Sequence, residues 1–480
     1  MKSFTEIIEG ALYTVRMRLG EKIIQTELKG FELIGAAEIY EQILQQTTNI
    51  SIVSWSICAG ILAAIAFFTL TFYVAYLSGV VLLLMLAILS VSAPVYLQRS
   101  KQAKETYRKT AAAQTRLFDG LTDFLHGFKE VRLSERRSDA MADDFRSIAA
   151  ALQEGALETH ACNQGTYVFV HMVMFLLLAS SIFIIPQYST MNLGLLTEIA
   201  AVIIFMLSPV ASMFNNLPEF ELANHAAQGI MEIERRLDQT VASVPAVQDD
   251  PWGGRFSQIE LADLGYTHQG ADGRPGFSIG PLRFTIRAGE IVFLVGGNGS
   301  GKTTLLKLLS TLYQPTSGAL LVDGIPVRNE NIRAYREMIA TIFTDFHLFK
   351  KLYGLSSIPA TEVAQKLTTL GISSSTALSE QQFTNLNLST GQRKRLAMVV
   401  ALLEDRPLYI FDEWAADQDP KFRQYYYEVL LPELKRQGKT VLAISHDDRY
   451  FHCADRVITM EYGTVRSINE CPTMAAVTAS

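Results

Sequence analysis

Residues Gly296 to Thr303 read GGNGSGKT. Glycines at this spacing let backbone N–H groups converge on phosphate oxygens. A lysine in the place of Lys302 reaches the β- and γ-phosphates, and a hydroxyl in the place of Thr303 binds Mg²⁺. Further along, the apolar run Leu408–Phe411 ends in Asp412-Glu413. A carboxylate at the end of a strand beside such a loop holds Mg²⁺ through its water shell, and the next one acts as general base on the attacking water. Asp412 is therefore the expected metal ligand beside Thr303, and Glu413 the expected base. His446, which follows the apolar run Val441–Ser445, is expected to contact the γ-phosphate. The chemistry implied is hydrolysis of a nucleoside triphosphate.

Such groups work only if regular elements hold them together. Ile291–Val295 is of strand type and Leu305–Leu309 of helix type, so the glycine loop opens a helix whose N-terminus favours anions. Leu408–Phe411 and Val441–Ser445 read as further strands of the same sheet. Residues 257–466 thus read as an α/β P-loop NTPase domain, with 467–480 as a C-terminal tail. Ahead of it, residues 238–256 mix Pro, Gly and paired Asp in the manner of a linker.

Residues 1–237 have a different texture. No charge occurs from Gln42 through Gln98, and Ile50 to Leu97 is almost wholly apolar. As one helix that run would reach about 72 Å, against a hydrocarbon core of about 30 Å, so it needs two spans, turning near Tyr76–Gly79. Tyr167 to Phe214 repeats the pattern around Pro186-Gln187-Tyr188-Ser189-Thr190. The expected spans are roughly 50–74, 78–97, 165–186 and 195–214 of an all-α transmembrane domain. Both short loops lack Lys and Arg, whereas residues 1–49 and 99–158 are rich in them, which places the flanks and middle in the cytoplasm. Glu198 falls within the last span, where an ionisable group faces the bundle interior or water. No charged n-region with an apolar h-region precedes residue 49, so a cleavable signal peptide is not expected.

Composition agrees. The 480 residues are 49% hydrophobic and only 19% charged, and mean hydropathy is +0.17, values that exclude a disordered chain or a disulfide scaffold. A net charge of −6 supplies no basic field for nucleic acid. Cys58, Cys162, Cys453 and Cys471 have no metal-ligand spacing and read as reduced thiols.

LSTGQRKRLA, Leu388 to Ala397, resembles the signature motif of ATP-binding cassette (ABC) proteins. Ser389 and the Gly391 N–H open a helix, an anion site with no phosphate of its own. The resemblance implies that Ser389, Gly391 and Gln392 close on the γ-phosphate of ATP held by a second copy of the chain. ATP then also lies on Gly296, Asn298, Gly299, Ser300, Gly301, Lys302, Thr303 and Thr304. It further implies that Tyr266, in DLGYTHQG, stacks on adenine and that Asp417 faces the partner subunit. In IFTDFHLF the usual Q-loop glutamine is Thr344, followed by Asp345, so either Asp345 serves as metal ligand or the metal is held through water.

Together with VFLVGGNGSGKTTLLKLL, TDFHLFKKLYG, GFKEVRL and FDEWAADQDPKFRQYYYEVLLPELK, the motif is similar to bacterial cyclic-peptide and siderophore exporters, such as those of pyoverdine, syringomycin and microcin. That branch implies a homodimeric half-transporter of the bacterial cytoplasmic membrane, its ATPase domain in the cytoplasm, exporting a peptide-like or siderophore-like molecule. Export of a lipid or linear peptide, or a membrane-anchored ATP-dependent sensor without a pathway, are the alternatives. Exporters of this type carry six spans, against four here, so the first two are expected to be missing. Cytoplasmic contact turns are expected near residues 30–37 and 146–156.

Overall fold

The uncharged stretches become helices. In the computed structural model, which describes residues 2–188, 193–240, 249–269 and 274–471, four helices are long and apolar enough to cross a membrane: Ala36–Leu77, Gly79–His126, Glu135–Gln187 and Leu193–Asp238. Ser78 separates the first two; it leaves helical geometry, and its side chain accepts a hydrogen bond from the Val81 N–H at 3.4 Å. Residues 189–192, 241–248 and 472–480, parts of the expected second loop, linker and tail, lie outside the described residues. The chain divides into two compact units, Met1–Gly20 with Ala37–Arg235 and Glu21–Ala36 with Arg236–Ser480.

In the first unit a narrow core gathers Val74, Val81, Met174, Ile199, Ile203 and Met206. Much of the remaining apolar surface points outward: Phe72 is 79% exposed, and Phe68, Leu83, Val91, Phe183 and Phe205 are exposed too. Apolar exposure on that extent marks a face that meets something other than water. The helices also run well past the expected spans. Gly79–His126 continues through its charged half to Gly127, where the short Phe128–Arg132 helix turns the chain. Ser134 then caps the next helix by accepting from the Arg137 N–H. A contact turn expected near 146–156 is thus absent, because residues Glu135–Ala179 form one unbroken helix. The break falls at Gly127–Ser134 instead.

The second unit holds the strands β1 (Gln258–Gln269), β2 (Pro275–Arg287), β3 (Ile291–Val295), β4 (Ser317–Val322), β5 (Ile325–Pro326) and β6 (Ile339–Ile342). It continues with a small hairpin of β7 (Leu378–Ser379) and β8 (Gln382–Phe383), then β9 (Leu408–Phe411), β10 (Thr440–Ile444), β11 (Arg456–Glu461) and β12 (Thr464–Glu470). A six-stranded sheet runs β12-β11-β3-β10-β9-β6, parallel except for β12, and an antiparallel sheet runs β2-β1-β4-β5. β3, β9 and β10 are buried almost throughout, as parallel strands covered on both faces must be. β12 carries the sheet to Glu470, past residue 466.

Residues 21–36 join this unit through their own contacts. The helix Leu28–Ile34 ends at Gly35, whose φ of 87° few other residues adopt. Leu28 packs on the core containing Ile259, Leu306 and Tyr335. Glu32 accepts hydrogen bonds from Tyr313 Oη at 2.6 Å and Lys307 Nζ at 2.8 Å.

Candidate functional site

Parallel register decides where the chemistry lies. Leu294 of β3 pairs with Ile444 of β10, Ala443 of β10 with Phe411 of β9, and Phe411 with Ile342 of β6. The segments leaving these four strands therefore emerge side by side at one edge. They carry the GGNGSGKT loop, Ser445-His446, Asp412-Glu413 and Thr344. A ligand crevice at the carboxyl ends of parallel strands is the general expectation for open α/β sheets.

The loop is built for close approach. Gly296 has φ 154°, and a Cβ there would lie 2.3 Å from the Met460 carbonyl oxygen; at Gly301, φ 98°, it would lie 2.5 Å from Ile279. Only glycine fits either place. Gly297, Asn298 and Gly299 are exposed, and the helix Lys302–Leu309 starts directly after Gly301. Lys302 is 6% exposed and donates to the carbonyls of Gly296 and Gly297 at 2.9 and 3.0 Å. Burial pulls its pKa below the usual lysine value, although Glu413 and Asp412 oppose the shift. The buried Ser300 hydroxyl has no hydrogen-bond partner.

Asp412 is 1% exposed. Thr303 Oγ1 donates to its Oδ2 at 3.3 Å, while Oδ1 is buried without a partner. Burial raises its pKa, against the hydrogen bonds from Thr344 and Thr303. A buried carboxylate oxygen without a partner, next to a hydroxyl, is a hard, all-oxygen donor set of the kind Mg²⁺ takes. Thr344 Oγ1 donates to the Asp412 carbonyl at 3.4 Å. Asp345 is exposed and makes no hydrogen bond to Asp412 or Thr303, so of the two neighbours it is Thr344 that reaches this aspartate.

Glu413 Oε1 lies 2.8 Å from His446 Nε2. Its backbone is left-handed, φ 48° and ψ 37°, which costs a residue with a Cβ roughly 1–2 kcal/mol. That turn directs the chain from β9 into Trp414, 1% exposed and stacked on Tyr426 with centroids 4.7 Å apart.

Tyr266 is not open to a base. It is 4% exposed and stacked on Tyr313, with centroids 4.8 Å apart and planes 16° from parallel. The aromatic ring that borders the loop is His268, half-buried, whose Nε2 lies 3.2 Å from Thr304 Oγ1. Burial, assisted by Lys307 and opposed by Glu32, lowers its pKa below the usual histidine range. Residues two apart on a strand share a face, and only burial separates Tyr266 from His268.

Ser389, Gly391 and Gln392 begin the helix Thr390–Glu404 in a capping box: Ser389 Oγ accepts from the Gln392 N–H, and Gln392 Oε1 accepts from the Ser389 N–H at 3.1 Å. Ser389 and Thr390 are exposed, and none of these three residues hydrogen-bonds to the glycine loop. Asp417 is joined to the same helix: Lys394 Nζ lies 2.7 Å from its Oδ2. The sequence pattern did not single out Lys394, which is 3% exposed.

Residues 279–416 match the family described as ABC transporter. The chain is 31% identical over 476 residues to the ATP-binding protein SyrD of Pseudomonas syringae pv. syringae, covering 95% of this chain and 82% of that protein. It is 27% identical to an ATP-dependent lipid A-core flippase of Ralstonia nicotianae, over 71% of this chain and 58% of the flippase. In fold it is similar to a bacterial Atm1-family ABC exporter with ATP bound, with a TM-score of 0.79 at 16% identity, over 97% of this chain and 84% of that one. With an apolar helical domain ahead of a cassette that couples ATP hydrolysis to transport, the chain belongs to the ABC exporter half-transporters.

Proposed function

We propose that the chain exports a peptide-like or siderophore-like molecule across the bacterial cytoplasmic membrane, as a homodimer with its cassettes in the cytoplasm. Identity of 31% to SyrD along nearly the whole chain supports the substrate class that the resemblance to cyclic-peptide and siderophore exporters implies. The flippase relative, at 27%, supports a lipid as the second reading.

In this reading the 296–304 loop cradles the phosphates of ATP, with Lys302 swinging from the carbonyls of Gly296 and Gly297 to the β- and γ-oxygens. Thr303 and the free oxygen of Asp412 are the residues that would hold Mg²⁺. When bound, the ion neutralises charge on the β- and γ-phosphates. Glu413 takes the proton of the attacking water, and His446, 2.8 Å away, fixes the direction of its carboxylate. His268, not Tyr266, offers a ring to adenine. Ser389 and Gly391 meet the γ-phosphate held by the other copy, as an exposed helix N-terminus can.

The test uses purified chain in vesicles, with ATPase activity and uptake measured against cyclic lipopeptides, siderophores and lipid A. Stimulation and uptake by a cyclic peptide or siderophore support the first reading. Stimulation by lipid A alone moves the assignment to the second. Lys302→Ala and Glu413→Gln are both expected to abolish turnover, the second while leaving ATP bound.

A further inference from the structure

Lys394 carries a charge where the fold needs none. It lies inside the helix Thr390–Glu404 and is 3% exposed, on a helix whose other buried residues, Leu396 and Met398 among them, are apolar. A buried ammonium is costly unless paired, and an apolar side chain of similar length would pack there equally well. Its Nζ makes two polar contacts: the Glu413 carbonyl oxygen at 2.8 Å and the Asp417 carboxylate at 2.7 Å. Trp414, the residue after Glu413, returns a hydrogen bond from Nε1 to the Lys394 carbonyl at 2.8 Å.

The place where the ammonium acts is the weak point of the site. Glu413 has a left-handed backbone that its own Cβ disfavours, so an outside contact must hold it. The surrounding contacts are close as well. A Cβ on Gly391 would come within 2.9 Å of the Asp417 carbonyl oxygen, and Gln418 Nε2 donates to the Gly391 carbonyl at 3.2 Å. Arg395 Nε donates to Gln418 Oε1 at 2.9 Å. The helix that begins at Ser389 and the segment 413–419 are thus joined by several hydrogen bonds and an ion pair. Among the hydrogen bonds that the described residues make between them, it is the one from the Lys394 ammonium that reaches the peptide of Glu413.

We infer that Lys394 is a positioning residue for ATP hydrolysis: by bridging the Glu413 carbonyl and the Asp417 carboxylate, it sets the Glu413 side chain and ties that setting to the Ser389 end of the helix. This rests on Glu413 being the base. Lys394 is 3% exposed and its ammonium is engaged by the Glu413 carbonyl and the Asp417 carboxylate, so its loss is expected to slow turnover without loosening ATP.

The test compares Lys394→Met and Lys394→Gln with wild type and Glu413→Gln, as full chains in vesicles, by ATPase kinetics, trinitrophenyl-ATP binding and thermal melting. The expected result is a fall in kcat of about tenfold or more in a folded Lys394 variant, with KM for ATP and analogue binding within about twofold of wild type. If Glu413→Gln turns over ATP normally, the base assignment fails and the inference with it. If Glu413→Gln is dead while a folded Lys394 variant keeps wild-type kcat, the Lys394 inference alone is overturned. It is equally overturned if both variants lose analogue binding or their cooperative melt, since Lys394 would then hold up the fold and not the base.

Discussion

A tyrosine and a histidine two positions apart separate the two jobs an aromatic residue does in this cassette. Tyr266 is a core ring: it packs on Tyr313 and carries His268 edge-on at 5.0 Å. Removing a buried aromatic ring costs about 3–5 kcal/mol. Tyr266→Ala is therefore expected to lower the melting temperature of the chain, measured by differential scanning fluorimetry, whatever nucleotide is present. His268 stands at the edge of the core beside Thr304. His268→Ala is expected to leave the melt nearly unchanged and to raise KM for ATP by about tenfold, the worth of one stacking contact of 1–1.5 kcal/mol. An unchanged KM in His268→Ala would remove the ring from the adenine site. The sequence carried the strand and its aromatic pair, but not the depth at which each ring sits, so the resemblance pointed to the ring that the fold buries. Gly296 to Thr303, by contrast, was legible at once, because its chemistry lies in consecutive residues. Lys394 was not, since its partners Glu413 and Asp417 lie on the far side of β9.

Segments show the same division between local and distant signals. Long uncharged runs announce their helices, and Ser78 its break. The turn at Gly127–Ser134 has only a glycine and a serine to mark it within a charged stretch, and it was misplaced toward 146–156. The contact turn expected near residues 30–37 falls at the Leu28–Ile34 helix, but the residues that hold it were not legible, because Glu32 and its donors Lys307 and Tyr313 are distant in the chain. This contact is expected to respond to pH. Burial alone would raise the Glu32 pKa, but hydrogen bonds from Lys307 and Tyr313 outweigh it and hold the carboxyl below the usual glutamate range. A depressed folded pKa stabilises docking above the unfolded value, and the contribution is lost as pH falls through the folded one. Hydrogen exchange of residues 28–34, corrected for its intrinsic pH dependence, should lose protection as pH falls below the usual glutamate range. Glu32→Gln, which cannot ionise, should lack that step; an identical step in the variant would assign it to another group. Gly30 tests the same docking sterically. A Cβ there would sit 2.4 Å from Thr240 Cβ, so Gly30→Val should raise exchange in 28–34 at every pH.

Within one chain, the halves of the proposed ATP site stay apart. The loop, Asp412, Glu413 and His446 gather at one sheet edge, while Ser389, Gly391 and Gln392 cap an exposed helix that bonds to none of the glycine loop. If two copies pair about a two-fold axis, each loop faces the other copy's Ser389, and both composite sites are equivalent. Complementation follows from that geometry. Lys302→Ala disables the loop of its own chain but leaves its Ser389 end intact. Ser389→Arg places a bulky cation at the helix N-terminus, against its dipole, but leaves its own loop intact. Each variant alone should be inactive. In an equal mixture assembled before reconstitution, half the dimers are mixed, and one of the two sites in each combines an intact loop with an intact helix end. ATPase activity should return to about a quarter of wild type if the sites act independently, and to less if they act in concert. A chain carrying both substitutions, mixed with wild type, builds no intact site in the mixed dimer and should only dilute the activity. Recovery in the first mixture and dilution in the second would place the shared site between copies. Full activity of Ser389→Arg by itself would show that one chain hydrolyses ATP without its partner's helix.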